Sequence, residues 1–107
     1  MKTIGRDELK VKLDGGEGVT LLEALPEMYF KKGHLPGARL FPHDQVEALA
    51  PRLLQDKGAS IVVYCASETC PNSHMAAESL ERLGYRDVKV YTGGKKDWES
   101  AGLPLER

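Results

Sequence analysis

Apolar and polar positions along the chain alternate between two periods. Short runs rich in β-branched residues are separated by stretches where apolar side chains recur every three or four positions, the pattern of a parallel α/β sheet. Thr3-Ile4 reads as a short strand, followed by a helix from Arg6 to Leu13. Leu9 and Leu13 lie on one face of that helix, Val11 lies off it, and Asp14-Gly15-Gly16 stops it. Val19 to Glu23 reads as a buried strand, and Pro26 suits the first turn of a helix over Glu27 to Lys32. The turn-rich segment Gly33 to Ala38 leads into a short strand around Arg39-Leu40-Phe41.

Asp44 is placed to cap a helix running to about Gln55, with Glu47 three residues later as a capping-box partner. Pro51 falls inside that stretch and predicts a kink or a break. Ser60-Ile61-Val62-Val63-Tyr64 is the most continuous apolar run, which predicts a strand at the centre of the sheet, covered on both faces. Residues 65–72 lack apolar periodicity and contain Pro71, so they read as a loop. Asn72 or Ser73 then caps a helix to Leu83, with Ala76, Ala77, Leu80 and Leu83 inward and Gly84 ending it. Val88 to Tyr91 reads as the last strand, Thr92-Gly93-Gly94 as a turn, and Lys95 to Ala101 as a terminal helix.

At 107 residues the chain predicts a single domain, 1–107, long enough to bury one core without disulfide staples. The charges nearly cancel, with 15 Lys plus Arg against 16 Asp plus Glu, and both signs are spread evenly along the chain. No basic stripe is present to neutralise a phosphate backbone, so no nucleic-acid partner is expected. The apolar runs are too short to cross a bilayer, so no membrane partner is expected. The N-terminus carries no apolar segment of the secretory kind, which makes a cytoplasmic location the expectation. Thiols stay reduced there, and attention falls on the two cysteines, Cys65 and Cys70.

Cys65 follows the strongest strand and precedes a loop that opens a helix, and ligands of open α/β sheets bind at the carboxyl ends of strands. Backbone N–H groups of that loop and the helix N-terminus would favour a thiolate, the nucleophilic form of cysteine. The competing reading is an inert buried cysteine. Cys70 lies five residues on, either as a resolving thiol for Cys65 or as an incidental loop residue. A zinc site at Cys65, Cys70 and His74 lacks the second ligand pair that structural sites use, with His34 and His43 distant in sequence, so no metal is expected. His74, in the first turn after the loop, is a candidate base or cation for the thiol, against a solvated role. Gly93-Gly94 can border the same site, and Lys95 and Lys96 can supply it with positive charge or remain solvated surface lysines. His34 reads as a residue that bonds local backbone, and Trp98 as packing between the last helix and the sheet.

An ordered set of segments carries a family resemblance. Gly33-His34-Leu35-Pro36-Gly37-Ala38, then Val62-Val63-Tyr64-Cys65, then Gly84-Tyr85, Val88 to Tyr91, Gly93-Gly94, Trp98 and Ala101-Gly102-Leu103-Pro104 together resemble a single-domain rhodanese over nearly the whole chain. The resemblance implies an α/β rhodanese-like fold, a five-stranded parallel sheet with helices on both faces and the active-site loop after the fourth strand. It also implies a sulfurtransferase in which Cys65 takes a sulfane sulfur as a persulfide and passes it to a thiophilic acceptor, with no cofactor. Residues Ala66, Ser67, Glu68, Thr69, Cys70, Pro71, Asn72 and Ser73 match the family's active-site loop.

This loop is about two residues longer than the common one, holds no Gly, Lys or Arg, and carries Glu68. A negative side chain there raises a thiol pKa and repels thiosulfate, so the expected donor is an uncharged small-molecule or protein-bound persulfide, and thiosulfate-to-cyanide transfer is not. The family's strand-end Asp-x-Arg is replaced by Glu23-Ala24-Leu25. The related cysteine phosphatases need an Arg six positions after the cysteine; Pro71 and Ala76 stand there, which argues against them. The alternative that the resemblance leaves open is a non-catalytic or redox-sensing module using Cys65 and Cys70 as a thiol switch. The sequence leaves the oligomeric state undetermined.

Overall fold

The computed structural model describes residues 2–107. Five strands form one sheet: β1 (Lys2–Ile4), β2 (Thr20–Glu23), β3 (Arg39–Leu40), β4 (Ser60–Tyr64) and β5 (Asp87–Tyr91). Their spatial order is β1-β5-β4-β2-β3, and every neighbouring pair is parallel. The apolar run Ile61-Val62-Val63 thus occupies the middle strand, where the sequence places it, and all of β4 except Ser60 is buried.

Alternate residues of each strand feed two cores, as the period of two requires. On one face Leu22, Ile61, Val63, Val88 and Val90 pack with Val46 and Ala50 of α3 (Val46–Leu53) and with Ala76, Ala77 and Leu80 of α4 (Asn72–Arg82). On the other face Leu21, Val62, Tyr64 and Tyr91 pack with Leu9 of α1 (Arg6–Asp14) and Trp98 of α5 (Gly94–Ser100). Burying each large apolar side chain is worth about 1.5–3 kcal/mol, so these two clusters hold the helices to the sheet. Val11 lies off the buried stripe of α1 and stays exposed. Trp98 is buried on this second face, its indole N–H donating to the Pro104 carbonyl at 2.9 Å. The short helix α2 (Glu27–Lys32) contributes only Phe30 to that side.

Helix ends differ most from the sequence reading. The third helix begins at Val46, with Gln45 rather than Asp44 at its N-cap and no side-chain cap bond. Pro51 lies within the helix and leaves the Glu47 carbonyl without its N–H, yet the helix runs on to Leu53 and the Leu54 amide still bonds the Ala50 carbonyl at 2.8 Å, so no break falls at the proline. Neither Asn72 nor Ser73 caps α4: Pro71 occupies that position, and Ser73 turns its hydroxyl inward to other work. The segment after α2 closes against the C-terminus through an antiparallel bridge between His34 and Glu106. His34 also bonds the Phe30 carbonyl through Nδ1 at 3.0 Å and stacks on the Phe30 ring, the local role its sequence context suggests.

At the carboxyl edge of the sheet one row of neighbours runs Ile4, Tyr91, Tyr64, Glu23 across four strands. Tyr91, Tyr64 and Glu23 put hydroxyls and a carboxylate beneath α5, the helix that leads back to the loop after β4.

Candidate active site

Cys65 is the first residue after β4 and is only 1% exposed. Its thiol donates toward the Cys70 carbonyl at 3.2 Å and lies 3.4 Å from the Ser73 hydroxyl. The loop between them is tied by its own bonds: the Cys70 amide donates to the Ser67 carbonyl at 3.1 Å, and the Ser67 and Thr69 hydroxyls meet at 3.1 Å. Both cysteines are free thiols, Cys65 buried and Cys70 half-buried.

Burial pushes the Cys65 thiol up, and the bond to the Cys70 carbonyl adds to the rise. The Ser73 hydroxyl and amide oppose it. A carbonyl oxygen accepts from a thiol and repels a thiolate, so this arrangement favours the neutral S–H form. The sequence pointed to a loop whose N–H groups converge on the sulfur. In the structure only the Ser73 amide and hydroxyl act on the sulfur in that sense, and the Cys70 carbonyl lies against it at 3.2 Å, with Pro71 offering no N–H in between.

The other end of the site is α5. The Lys95 amide donates to the Cys65 carbonyl at 3.0 Å and the Lys96 amide to the Ala66 carbonyl at 2.9 Å. The loop thereby satisfies N–H groups that a helix start leaves open. This contact needs glycine at position 94: φ is +66°, and a Cβ there would stand 2.5 Å from the Cys65 carbonyl oxygen. Gly93-Gly94 therefore does border the loop. A shallow cavity of about 310 Å³ opens on the loop's outer side, lined by Ser67, Glu68, Thr69, Gly93, Lys96, Asp97 and Ser100.

The candidate accessories are placed differently from one another. Cys70 contacts Cys65 through its carbonyl. Lys95 gives its amide to the loop, while its ammonium goes to Glu23 Oε2 at 2.9 Å and to the Tyr29 carbonyl at 2.8 Å. His74 is half-buried in the first turn of α4 and makes no hydrogen bond or ion pair with Cys65. Among the described residues no three His, Cys, Asp or Glu side chains group as a metal site.

Glu23, noted in the sequence only as a departure from the family's Asp-x-Arg, and Tyr64 form a polar pair at this edge that sequence reasoning did not foresee. The Tyr64 hydroxyl donates to Glu23 Oε1 at 2.7 Å and accepts from the Leu35 amide at 3.1 Å. Burial, then the Glu23 charge, shifts the Tyr64 phenol strongly upward. The available signal was a lone acid ending an apolar strand, where a charge is buried only if it has a partner.

The chain belongs to the rhodanese-like domain family, which it matches over residues 5–101. A thiosulfate sulfurtransferase of Pseudomonas aeruginosa has the same fold, with a TM-score of 0.89 at 22% identity over 100% of this chain and 20% of that one. An HTH-type transcriptional regulator of Mycobacterium tuberculosis is 36% identical over 104 residues, covering 96% of this chain and 44% of its own length. A tRNA sulfurtransferase of Pyrobaculum aerophilum is 40% identical over 76 residues, covering 71% of this chain and 14% of its own. The chain spans less than half the length of these curated relatives.

Proposed function

We propose that this chain is a sulfurtransferase of the rhodanese type in which Cys65 carries the transferred sulfur. The observation that carries the reading is the placement of Cys65 in a rhodanese-like domain: at the carboxyl end of the central strand, its sulfur against the Ser73 hydroxyl at the mouth of α4.

The chemistry follows from sulfur exchange. The Cys65 thiol loses its proton to solvent, and the thiolate attacks the outer sulfur of a persulfide donor. A new S–S bond forms on Cys65 as the donor's own S–S bond breaks, and the donor leaves as a thiolate. An acceptor thiolate then attacks the outer sulfur, takes it, and restores the Cys65 thiolate. No net oxidation occurs and no cofactor enters. The Ser73 hydroxyl can turn to donate to the anionic sulfur once the proton is gone. Because the loop offers Glu68 and no cation, the donor is a neutral or protein-borne persulfide rather than thiosulfate, and the acceptor is a thiol. The cytoplasm, with its pool of reduced thiols, suits both partners.

Cys70 supplies a second exit. Its thiolate would attack the inner sulfur of the loaded Cys65, forming a Cys65–Cys70 disulfide and expelling hydrosulfide; two further thiols would then reduce that disulfide. Sharing one short loop with Cys65, whose sulfur touches its carbonyl, favours this role.

A second reading is a redox-sensing module in which the same two cysteines form a thiol switch without turnover. Its support is the 36% identity with a transcriptional regulator and the burial of the Cys65 thiol, which pushes its pKa up. Incubation with a persulfide donor separates the two readings: the enzyme passes sulfur repeatedly to an added thiol, while the switch stops after one Cys65–Cys70 disulfide.

A further inference from the structure

We infer that Glu23 and Lys95 are positioning residues for Cys65, their buried ion pair fixing the peptide that carries the reacting sulfur. The inference rests on the reading of Cys65 as the sulfur carrier. Glu23 is the one charged side chain fully buried among the described residues. Its Oε1 accepts from the Tyr64 hydroxyl at 2.7 Å, and Tyr64 is joined to Cys65 by the chain itself. Its Oε2 accepts no aligned hydrogen bond and has as its counter-ion the Lys95 ammonium, 2.9 Å away and 13% exposed. The Lys95 amide in turn donates to the Cys65 carbonyl at 3.0 Å. The contacts therefore close a ring: Glu23 to Tyr64, Tyr64 to Cys65 by the peptide bond, Cys65 to Lys95, and Lys95 back to Glu23.

Three elements meet in that ring, β2, β4 and α5, and each grips Cys65 or its immediate neighbour. A buried ion pair adds little net stability, since desolvation of both charges offsets their attraction. What this one adds is direction. The Tyr64 side chain and the Cys65 carbonyl are both held by the one ion pair, which constrains the peptide on each side of the Cys65 Cα. The Lys95 ammonium also bonds the Tyr29 carbonyl at 2.8 Å, which sets its own position before Glu23 is considered. Lys95 thus acts through the Cys65 peptide and not as a charge beside the sulfur.

The test uses the full chain carrying Cys70→Ser, so that alkylation reports Cys65 alone. Lys95→Met and the double variant Glu23→Gln/Lys95→Met are compared with that parent for thermal midpoint, for the pH profile of Cys65 alkylation by iodoacetamide, and for sulfur loading from a small-molecule persulfide. The double variant leaves no unpaired charge and keeps an acceptor for Tyr64, so it carries the test if Lys95→Met does not fold. The expected result is a folded double variant whose Cys65 alkylates about tenfold faster near neutral pH, with the profile moved toward that of an ordinary thiol, and whose sulfur loading does not rise with it, falling about tenfold relative to the alkylation rate. A double variant whose alkylation profile overlays the parent's overturns the positioning role, whatever happens to its stability. A parent that takes up no sulfur, alongside a double variant with a shifted alkylation profile, leaves the positioning role standing and removes the sulfurtransferase reading instead.

Discussion

The Cys65 thiol points at the carbonyl oxygen of Cys70, 3.2 Å away, five residues further along the same loop. A hydrogen bond in that direction needs the sulfur to hold its proton. The geometry therefore suits a neutral thiol, and the proposed sulfur-carrier role requires the loop to turn this carbonyl aside or the Ser73 hydroxyl to donate to the sulfur.

Ser73→Ala tests the second of these. The hydroxyl is buried and is one of the groups that lower the Cys65 pKa. Its loss is expected to raise that pKa further and to slow alkylation of Cys65 at neutral pH by roughly fivefold, as one hydrogen bond to sulfur is worth about 1 kcal/mol. The rate constant for iodoacetamide labelling measures it.

Alkaline pH will destabilise the fold. Burial is the first cause of the upward shifts of the Cys65 thiol and of the Tyr64 and Tyr91 phenols. All three are neutral in the native state, while in the unfolded chain they lose protons near about pH 8.5 for cysteine and about 10 for tyrosine. A raised native pKa gives stability that is complete below the unfolded value and lost as pH climbs toward the folded one. The thermal midpoint is therefore expected to hold from pH 7 to about 8.5, fall above it, and fall faster beyond about 10. Cys65→Ser will flatten the first part of the fall, measured by thermal melts at a series of pH values.

Gly94→Ala places a methyl group 2.5 Å from the Cys65 carbonyl oxygen in a backbone conformation with φ of +66°. Backbone strain of this kind costs about 1–3 kcal/mol before any clash, and the carbonyl cannot yield without opening the loop after β4. Both the denaturation midpoint and the Cys65 labelling rate are expected to change. Gly102→Ala is the comparison, because its φ is also positive, +76°, but nothing lies within 4 Å. It should lower stability and leave Cys65 labelling alone.

Trp98→Ala removes the largest fully buried side chain and is expected to cost about 3–5 kcal/mol in urea unfolding.

The parts of this molecule that were legible in sequence are those governed by local pattern. Ile61-Val62-Val63 announces a central parallel strand because a run without polar relief must be covered on both faces. Cys65 was legible by its position at the end of that run. The starts of α1 and α2 were legible too, but the caps of α3 and α4 were not, since Asp44 and Ser73 have the right chemistry for caps and the folded chain spends neither in that way. Ser73 is drawn inward by the sulfur of Cys65, a contact that spans the loop. The Glu23–Lys95 pair lay beyond local reasoning altogether. It depends on β2 lying beside β4 and on α5 returning over the carboxyl edge, and nothing near either residue in the sequence announces that meeting.

The central claim is that Cys65 carries sulfur. The most direct measurement is the intact mass of the full chain after incubation with a small-molecule persulfide, followed by peptide mapping under non-reducing conditions. The account predicts a gain of one sulfur atom located on Cys65, absent in Cys65→Ser, retained in Cys70→Ser and discharged by added thiol. Wild-type protein that gains no sulfur, or a Cys65→Ser variant that gains as much as wild type, contradicts it.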